Sequence, residues 1–219
     1  MKKVALILAG CGVYDGSEIH EATLTMFYLE KAGFEIQYFA PDKQQRDVIN
    51  HKEGSPVTET RNVLLESARI SRGNIAPITE LNVDNFDAVV FPGGFGAAKN
   101  LCSFAVDGAN CEIDSYVSKA INEAVSKKKA VGAMCIAPVV VAKALKDSGL
   151  NPKLTIGTDK GTSDALKELN AEPIPAQVNE VVVDSGNKIV STPAYMLGTK
   201  ISEVASGIEK FVDELKKLV

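Results

Sequence analysis

Histidine is almost missing from this chain: two residues in 219, His20 and His51. Zinc sites draw on histidine and cysteine at short spacing, so the residue supply argues against one, and no metal site is expected. Cysteine is sparse as well. Cys11, Cys102, Cys111 and Cys135 are scattered and contain no Cys-x-x-Cys pair, which excludes a disulfide framework and fits a reducing compartment. A basic excess is also lacking. With 24 lysines and arginines against 28 acidic residues, the net charge of −4 is the wrong sign for nucleic acid or an anionic membrane as the main partner. No apolar run reaches the roughly 20 residues of a membrane span, and a core-strand pattern begins within two residues of Met1. A cytoplasmic protein is the resulting expectation.

What is present is an α/β pattern. A composition 45% hydrophobic and 24% charged suits a globular protein, and the length suffices for one large α/β domain or two small ones. Val4 to Leu8 reads as a buried parallel strand stopped by Ala-Gly-Cys-Gly, and a helix follows from about Glu18 to Ala32. Asp15 or Ser17 is its expected cap and Gly33 its stop. Phe34 to Phe39 completes a βαβ unit. Residues 41 to 75 break the rhythm: polar, with one helix around Val63 to Ile70, they read as an excursion from a single domain spanning 1 to 219. Ala88 to Phe91 resumes the sheet and ends in Pro92-Gly-Gly-Phe-Gly96. Helices are expected at Asp114 to Lys127, Ser163 to Leu169 and from Ile201 onward, a short strand at Leu154 to Gly157, and a hairpin around Ser185-Gly-Asn187.

The chain turns on Lys129 to Lys146. Ala130 to Met134 is a short apolar run, and Pro138 opens a stretch of good helix formers. Cys135 falls at the junction, flanked by the small residues Ala133 and Ala137, which is the logic of a nucleophile elbow with a thiol in place of a hydroxyl. A helix N-terminus behind the sulfur would favour the thiolate. The competing reading is a buried cysteine acting as a small hydrophobe.

Ligands of open parallel sheets bind beyond the carboxyl ends of the strands. That edge gathers the loop Gly10 to Ser17, the glycine loop Pro92 to Gly96, and Cys135. The glycine loop lacks the lysine and hydroxyl residue of a nucleotide loop, and its use is backbone approach and amide donors for developing negative charge. Glu18 and Glu21 share a face at the start of the first helix, within reach of Cys135, with the residue that faces the thiol left open; acidic residues there also suit the helix dipole without any catalytic role. His20 points away around the helix and reads as structural. Cys11 is read as buried filler, with a redox partnership with Cys135 as the alternative, and Cys102 and Cys111 receive no role. Thr192 and Tyr195 reach the same edge.

Six blocks together resemble the ElbB glyoxalase-like family of the PfpI-like, class I glutamine-amidotransferase-like superfamily: Gly10 to Glu21, Phe39 to Gln45, Thr60 to Leu64, Phe91 to Leu101, Met134 to Pro138 and Thr192 to Tyr195. The resemblance implies a flavodoxin-like sandwich, a mostly parallel sheet with helices on both faces, with Cys135 as elbow nucleophile. Glu21 matches the glutamate that hydrogen-bonds the thiol, and Glu18 a neighbouring acidic position. The loop holding Gly93, Gly94 and Phe95, with the amide of Ile136, matches the oxyanion and substrate-binding donors. Superfamily members often form homodimers, for which the 41 to 75 excursion is the candidate surface. Two departures matter. The residue after the nucleophile, histidine in proteases, is Ile136 here, and no histidine follows His51 to serve as an amidotransferase base.

The expectation is therefore a cofactor-independent glyoxalase of the glyoxalase III lyase type, turning glyoxal and small α-oxoaldehydes into 2-hydroxy acids, with protein deglycase activity as a related reading. The rival from another class is a redox sensor or regulatory binding protein using an oxidisable Cys135.

Overall fold

The computed structural model describes residues 1–219. In chain order the strands are β1 (Lys3–Ile7), β2 (Glu35–Ala40), β3 (Ile49–Asn50), β4 (Ser55–Pro56), β5 (Ala76–Pro77), β6 (Ala88–Phe91), β7 (Ala130–Met134), β8 (Lys153–Leu154), β9 (Glu172–Pro173), β10 (Val182–Asp184) and β11 (Ile189–Thr192). The helices are α1 (Ile19–Lys31), α2 (Val63–Ile70), α3 (Phe104–Asp107), α4 (Ser115–Ser126), α5 (Pro138–Leu145), α6 (Lys160–Glu168) and α7 (Ile201–Leu218). Seven strands form one sheet in the order β10-β11-β7-β6-β1-β2-β5. All neighbours run parallel except β10, which returns antiparallel to β11. This is the mixed α/β sandwich expected of a flavodoxin-like fold.

Alternation along the strands divides the core in two. Ala5, Ile7, Val89, Phe91, Val131 and Ala133 pack against α4 and α5, while Val4, Leu6, Ala88, Val90 and Ala130 pack against α1 and α7. Gly132 has a packing reason: a Cβ there would lie 2.5 Å from the Phe211 ring, so the missing side chain lets α7 settle on β7. The chain leaves β1 toward β2 on one side and returns as β6 on the other. The carboxyl ends of β1, β6 and β7 therefore meet at the sheet's switch point, where their three loops converge.

Local predictions differ from the structure where loops are tied together over distance. Glu18, not Asp15 or Ser17, caps α1, its Oε2 accepting the Glu21 N–H at 2.7 Å. Ser17 instead accepts the Ala9 N–H (2.9 Å), and Asp15 accepts the Ile49 N–H (2.7 Å). The 41 to 75 excursion holds a small antiparallel pair, β3 with β4, besides the expected α2. It braces the loops after β1 and β6: Gly10 N–H donates to Ser67 Oγ, and Lys99 pairs with Asp47 at 2.9 Å. Buried Asn100 joins three segments, donating to the carbonyls of Ala9 and Asp15 and accepting the Arg46 N–H. The expected strand near Leu154 forms as β8 and pairs with β9 outside the main sheet. No helix is long and apolar enough to cross a membrane.

Candidate active site

The elbow is set by backbone conformation. β7 delivers its last residue, Met134, fully buried, and Cys135 follows at φ +58°, a left-handed value that non-glycine residues adopt only at some cost. The Cys135 N–H donates to the Thr192 carbonyl (3.0 Å), which locks the strained residue to β11. Pro138, with no N–H to satisfy, then starts α5. The sulfur projects over the carboxyl edge of the sheet.

Glu21 is the partner the thiol meets. Its carboxyl is completely buried, with Oε2 accepting the Gly93 N–H (2.9 Å) and Oε1 the Tyr195 N–H (3.2 Å), and the Cys135 thiol hydrogen-bonds it. Burial, aided by the nearby Glu18 charge and opposed by those hydrogen bonds, raises the Glu21 pKa to about 8. Burial and the Glu21 charge push the Cys135 thiol well above the ordinary range, while the amides of Gly94 and Ile136 pull it down without prevailing. The expectation of a helix-favoured thiolate is thus corrected: desolvation and a neighbouring carboxyl outweigh oriented amides. The carboxyl therefore gives up its proton before the thiol does.

The glycine loop divides its labour. A Cβ on Gly93 would sit 2.4 Å from Cys135 Cβ and 2.6 Å from Glu21 Oε2, so only glycine fits between nucleophile and carboxyl. Its N–H is committed to Glu21, which removes Gly93 from the expected oxyanion donors. The Phe95 amide is committed too, donating to the Val13 carbonyl at 2.7 Å, and Phe95 serves the site with its half-exposed ring. The amides of Gly94 and Ile136 have no backbone acceptor and are aimed at the Cys135 sulfur. They form the donor pair for a developing oxyanion.

Cys135 opens into a cleft of about 420 Å³ with thirteen lining residues, nine of them hydrophobic. Val13, Phe95, Phe104, Ile136 and Met196 supply apolar walls, and Glu18, Asp159, Thr162 and Tyr195 the polar groups. No lysine or arginine lines it, which disfavours phosphorylated or carboxylate-rich ligands. Neither histidine lines it. His20 Nδ1 lies 2.8 Å from the Tyr195 hydroxyl, and His51 packs on Tyr14 and takes the Tyr14 N–H. Burial, with the charges of Glu66 and Asp15 outweighing those of Arg69 and Arg61, raises the Cys11 pKa. No cluster of three or more His, Cys, Asp or Glu is arranged to hold a metal. Tyr195 has a larger part than its sequence pattern showed. Ala194 at φ +44° turns the chain so that the next amide reaches Glu21 and the ring reaches the cleft.

A cysteine at a strand-to-helix elbow, backed by a buried glutamate on a mostly parallel α/β sheet, defines the class of protein. The chain belongs to the DJ-1/PfpI family, whose pattern matches residues 2–194. It is 44% identical over 99% of its length to the mitochondrial ES1 protein homolog of Rattus norvegicus, covering 84% of that protein. It is also 44% identical over 99% of its length to the mitochondrial glutamine amidotransferase-like class 1 domain-containing protein 3 of Homo sapiens, covering 83% of it. A solved structure from Ehrlichia chaffeensis, described as an isoprenoid biosynthesis protein with amidotransferase-like domain, superposes with TM-score 0.92 at 37% identity, over 99% of this chain and 100% of that one. A glyoxalase III of Candida albicans shares the fold alone, with TM-score 0.63 at 16% identity, over 99% of this chain and 97% of that one.

These relatives overturn one expectation. Curated relatives from rat and human are named mitochondrial, which points away from a cytoplasmic protein. The cytoplasmic reading rested on free thiols and the lack of an apolar span, and neither property carries an address.

Proposed function

We propose that the protein is a cofactor-independent glyoxalase acting on small α-oxoaldehydes, with Cys135 as nucleophile and Glu21 as proton shuttle, as the ElbB-like motifs imply. The observation that carries the reading is the Cys135–Glu21 contact, together with the two uncommitted amides of Gly94 and Ile136 and no histidine at the thiol. An aldehyde carbon accepts a thiolate without a strong activating base, whereas peptide or glutamine hydrolysis needs the histidine this site lacks.

Loss of one proton from the pair leaves the Glu21 carboxylate beside the thiol, and as the sulfur attacks, its proton passes to Glu21. The sulfur adds to one aldehyde carbon of glyoxal, and the oxygen that gains the electron pair is held by the Gly94 and Ile136 amides and protonated by Glu21. The Glu21 carboxylate then removes the hydrogen from the carbon bearing sulfur, and the enediol is reprotonated on the neighbouring carbon. The product is a glycolyl thioester on Cys135. Water cleaves it to glycolate and free thiol, so glyoxal and one water become glycolate and a proton.

The cleft supports a second, related reading. About 420 Å³ exceeds what four-atom glyoxal fills, and Glu18 and Asp159 on its walls with no basic residue favour a cationic substrate. Repair of glycated amino or guanidino groups by the same chemistry would use both features. Kinetics on free glyoxal and on glyoxal-modified N-acetylarginine separate the two: the deglycase reading requires product release faster than spontaneous loss of free glyoxal from the adduct.

The test of the shuttle is Glu21→Gln. Turnover should fall at least about 100-fold, while iodoacetamide still alkylates Cys135. Unchanged turnover removes Glu21 from the mechanism.

A further inference from the structure

All four cysteines are free thiols, yet two of them are brought together at the ends of one short flap. Cys102 bridges antiparallel to Ile113, Ser103 N–H donates to the Glu112 carbonyl, and Asp114 N–H donates to the Leu101 carbonyl, both at 2.9 Å. In this register the same-face diagonal neighbour of Cys102 is Cys111, and the two side chains are near enough to shift each other's pKa, while the Cys102 thiol donates to the Ala97 carbonyl at 3.6 Å. Between them run α3 and a 3₁₀ turn at Gly108–Asn110. Phe104 and Ala105 of that flap wall the cleft that holds Cys135. Neither thiol has any part in the reaction at Cys135.

The surroundings bias the pair toward oxidation. Lys143 on α5 places positive charge near both sulfurs, and Asp107 of the flap opposes it at Cys111. The thiol–thiol contact lowers the Cys111 pKa to about 7 and raises that of Cys102, so one proton is shared between two sulfurs near neutral pH. An open depression of about 220 Å³, lined by Cys102, Ser103 and Glu112 among others, reaches Cys102 from solvent, while Cys111 lies buried behind it.

We propose that Cys102 and Cys111 are a redox site, a dithiol that a hydroperoxide converts to an intramolecular disulfide closing the 103 to 110 loop. The thiolate attacks the terminal peroxide oxygen, the O–O bond breaks, and the alkoxide or hydroxide leaves as alcohol or water after taking a proton from solvent. The oxidised cysteine is a sulfenic acid. The other sulfur attacks it, the S–S bond forms, the S–O bond breaks, and hydroxide departs with the second thiol's proton as water. Two thiols and one hydroperoxide thus become a disulfide, an alcohol or water, and one further water. The disulfide would close a covalent loop around Phe104 and Ala105, two walls of the cleft, without touching Cys135.

The experiment is peptide mapping of the whole protein after limited hydrogen peroxide treatment and alkylation of remaining thiols, on wild type and Cys135→Ser. The expected result in both is a Cys102–Cys111 linked peptide, appearing before half-buried Cys11 is oxidised and faster as pH rises through about 7. Cys102→Ser should abolish the link and leave a dimedone-trappable sulfenic acid at Cys111. Persistence of both thiols as alkylated peptides under conditions that oxidise Cys11, or linkage of either to a different cysteine, overturns the proposal.

Discussion

Cys135 and Glu21 share one protonation equilibrium, and its sign can be read from their environment. Both groups are raised, Glu21 to about 8 and the thiol beyond it, so below that pH the pair holds two protons and contains no thiolate. Losing one proton creates the reactive partnership. Glyoxal consumption should therefore rise with pH and level off above an inflection near 8; a flat profile from pH 6 to 9 would mean that the pair's ionisation does not govern the rate. Gly93→Ala should reduce kcat about 100-fold or more, because its Cβ would displace either the nucleophile or the carboxyl. The nucleophile was legible in the sequence because an elbow is a local pattern: apolar strand, small residues around a cysteine, then proline and a helix. Glu21 came through helix spacing and family resemblance. The amide of Gly93 reaches Glu21 across 72 residues and that of Tyr195 across 174, and nothing in the local sequence marks such pairings. The proximity of Cys102 to Cys111 was hidden for the same reason: it depends on an antiparallel register in a loop without strand character.

The central strands and the long terminal helix were readable as elements because parallel strands buried on both faces are continuous apolar runs. Shorter elements were not. β3, β4, β5 and β9 are two residues each and owe their existence to neighbours rather than to any periodicity. The cap of α1 was assigned to the wrong residue since Asp15 and Ser17, good caps by type, are bound instead to the 41 to 75 excursion and to Ala9 just after β1, respectively. Two substitutions test how elements are joined. Gly132→Ala forces Phe211 away from β7 and should lower unfolding free energy by about 1–3 kcal/mol. Asn100→Ala strips hydrogen bonds from three loop segments and should cost about 2–4 kcal/mol in urea unfolding, with the glycine loop loosened as well. A loss under 0.5 kcal/mol in either case would contradict the packing described.

At the scale of the molecule, the buried carboxyl makes stability depend on pH. Glu21 is raised in the folded state from 4.5 to about 8, so its favourable contribution is fully present below pH 4.5 and is lost as pH climbs to about 8. The loss is on the order of 5 kcal/mol. Glu21→Gln cannot ionise, so its stability relative to wild type should increase steadily between pH 5 and 8.5; a constant difference across that window would refute the buried, protonated state. The same feature links fold to function: a family scaffold gives up stability at its switch point to hold an ionisable pair out of water. Composition could not report this, nor the compartment, because both are decided by features that net charge and cysteine count do not encode.

The central claim is that this site turns an α-oxoaldehyde into a 2-hydroxy acid through Cys135. Carbon-13 NMR of labelled glyoxal incubated with wild type and with Cys135→Ser tests it most directly. The account predicts glycolate from the wild type and none above the buffer control from the variant; no glycolate from either, or equal amounts from both, would contradict it.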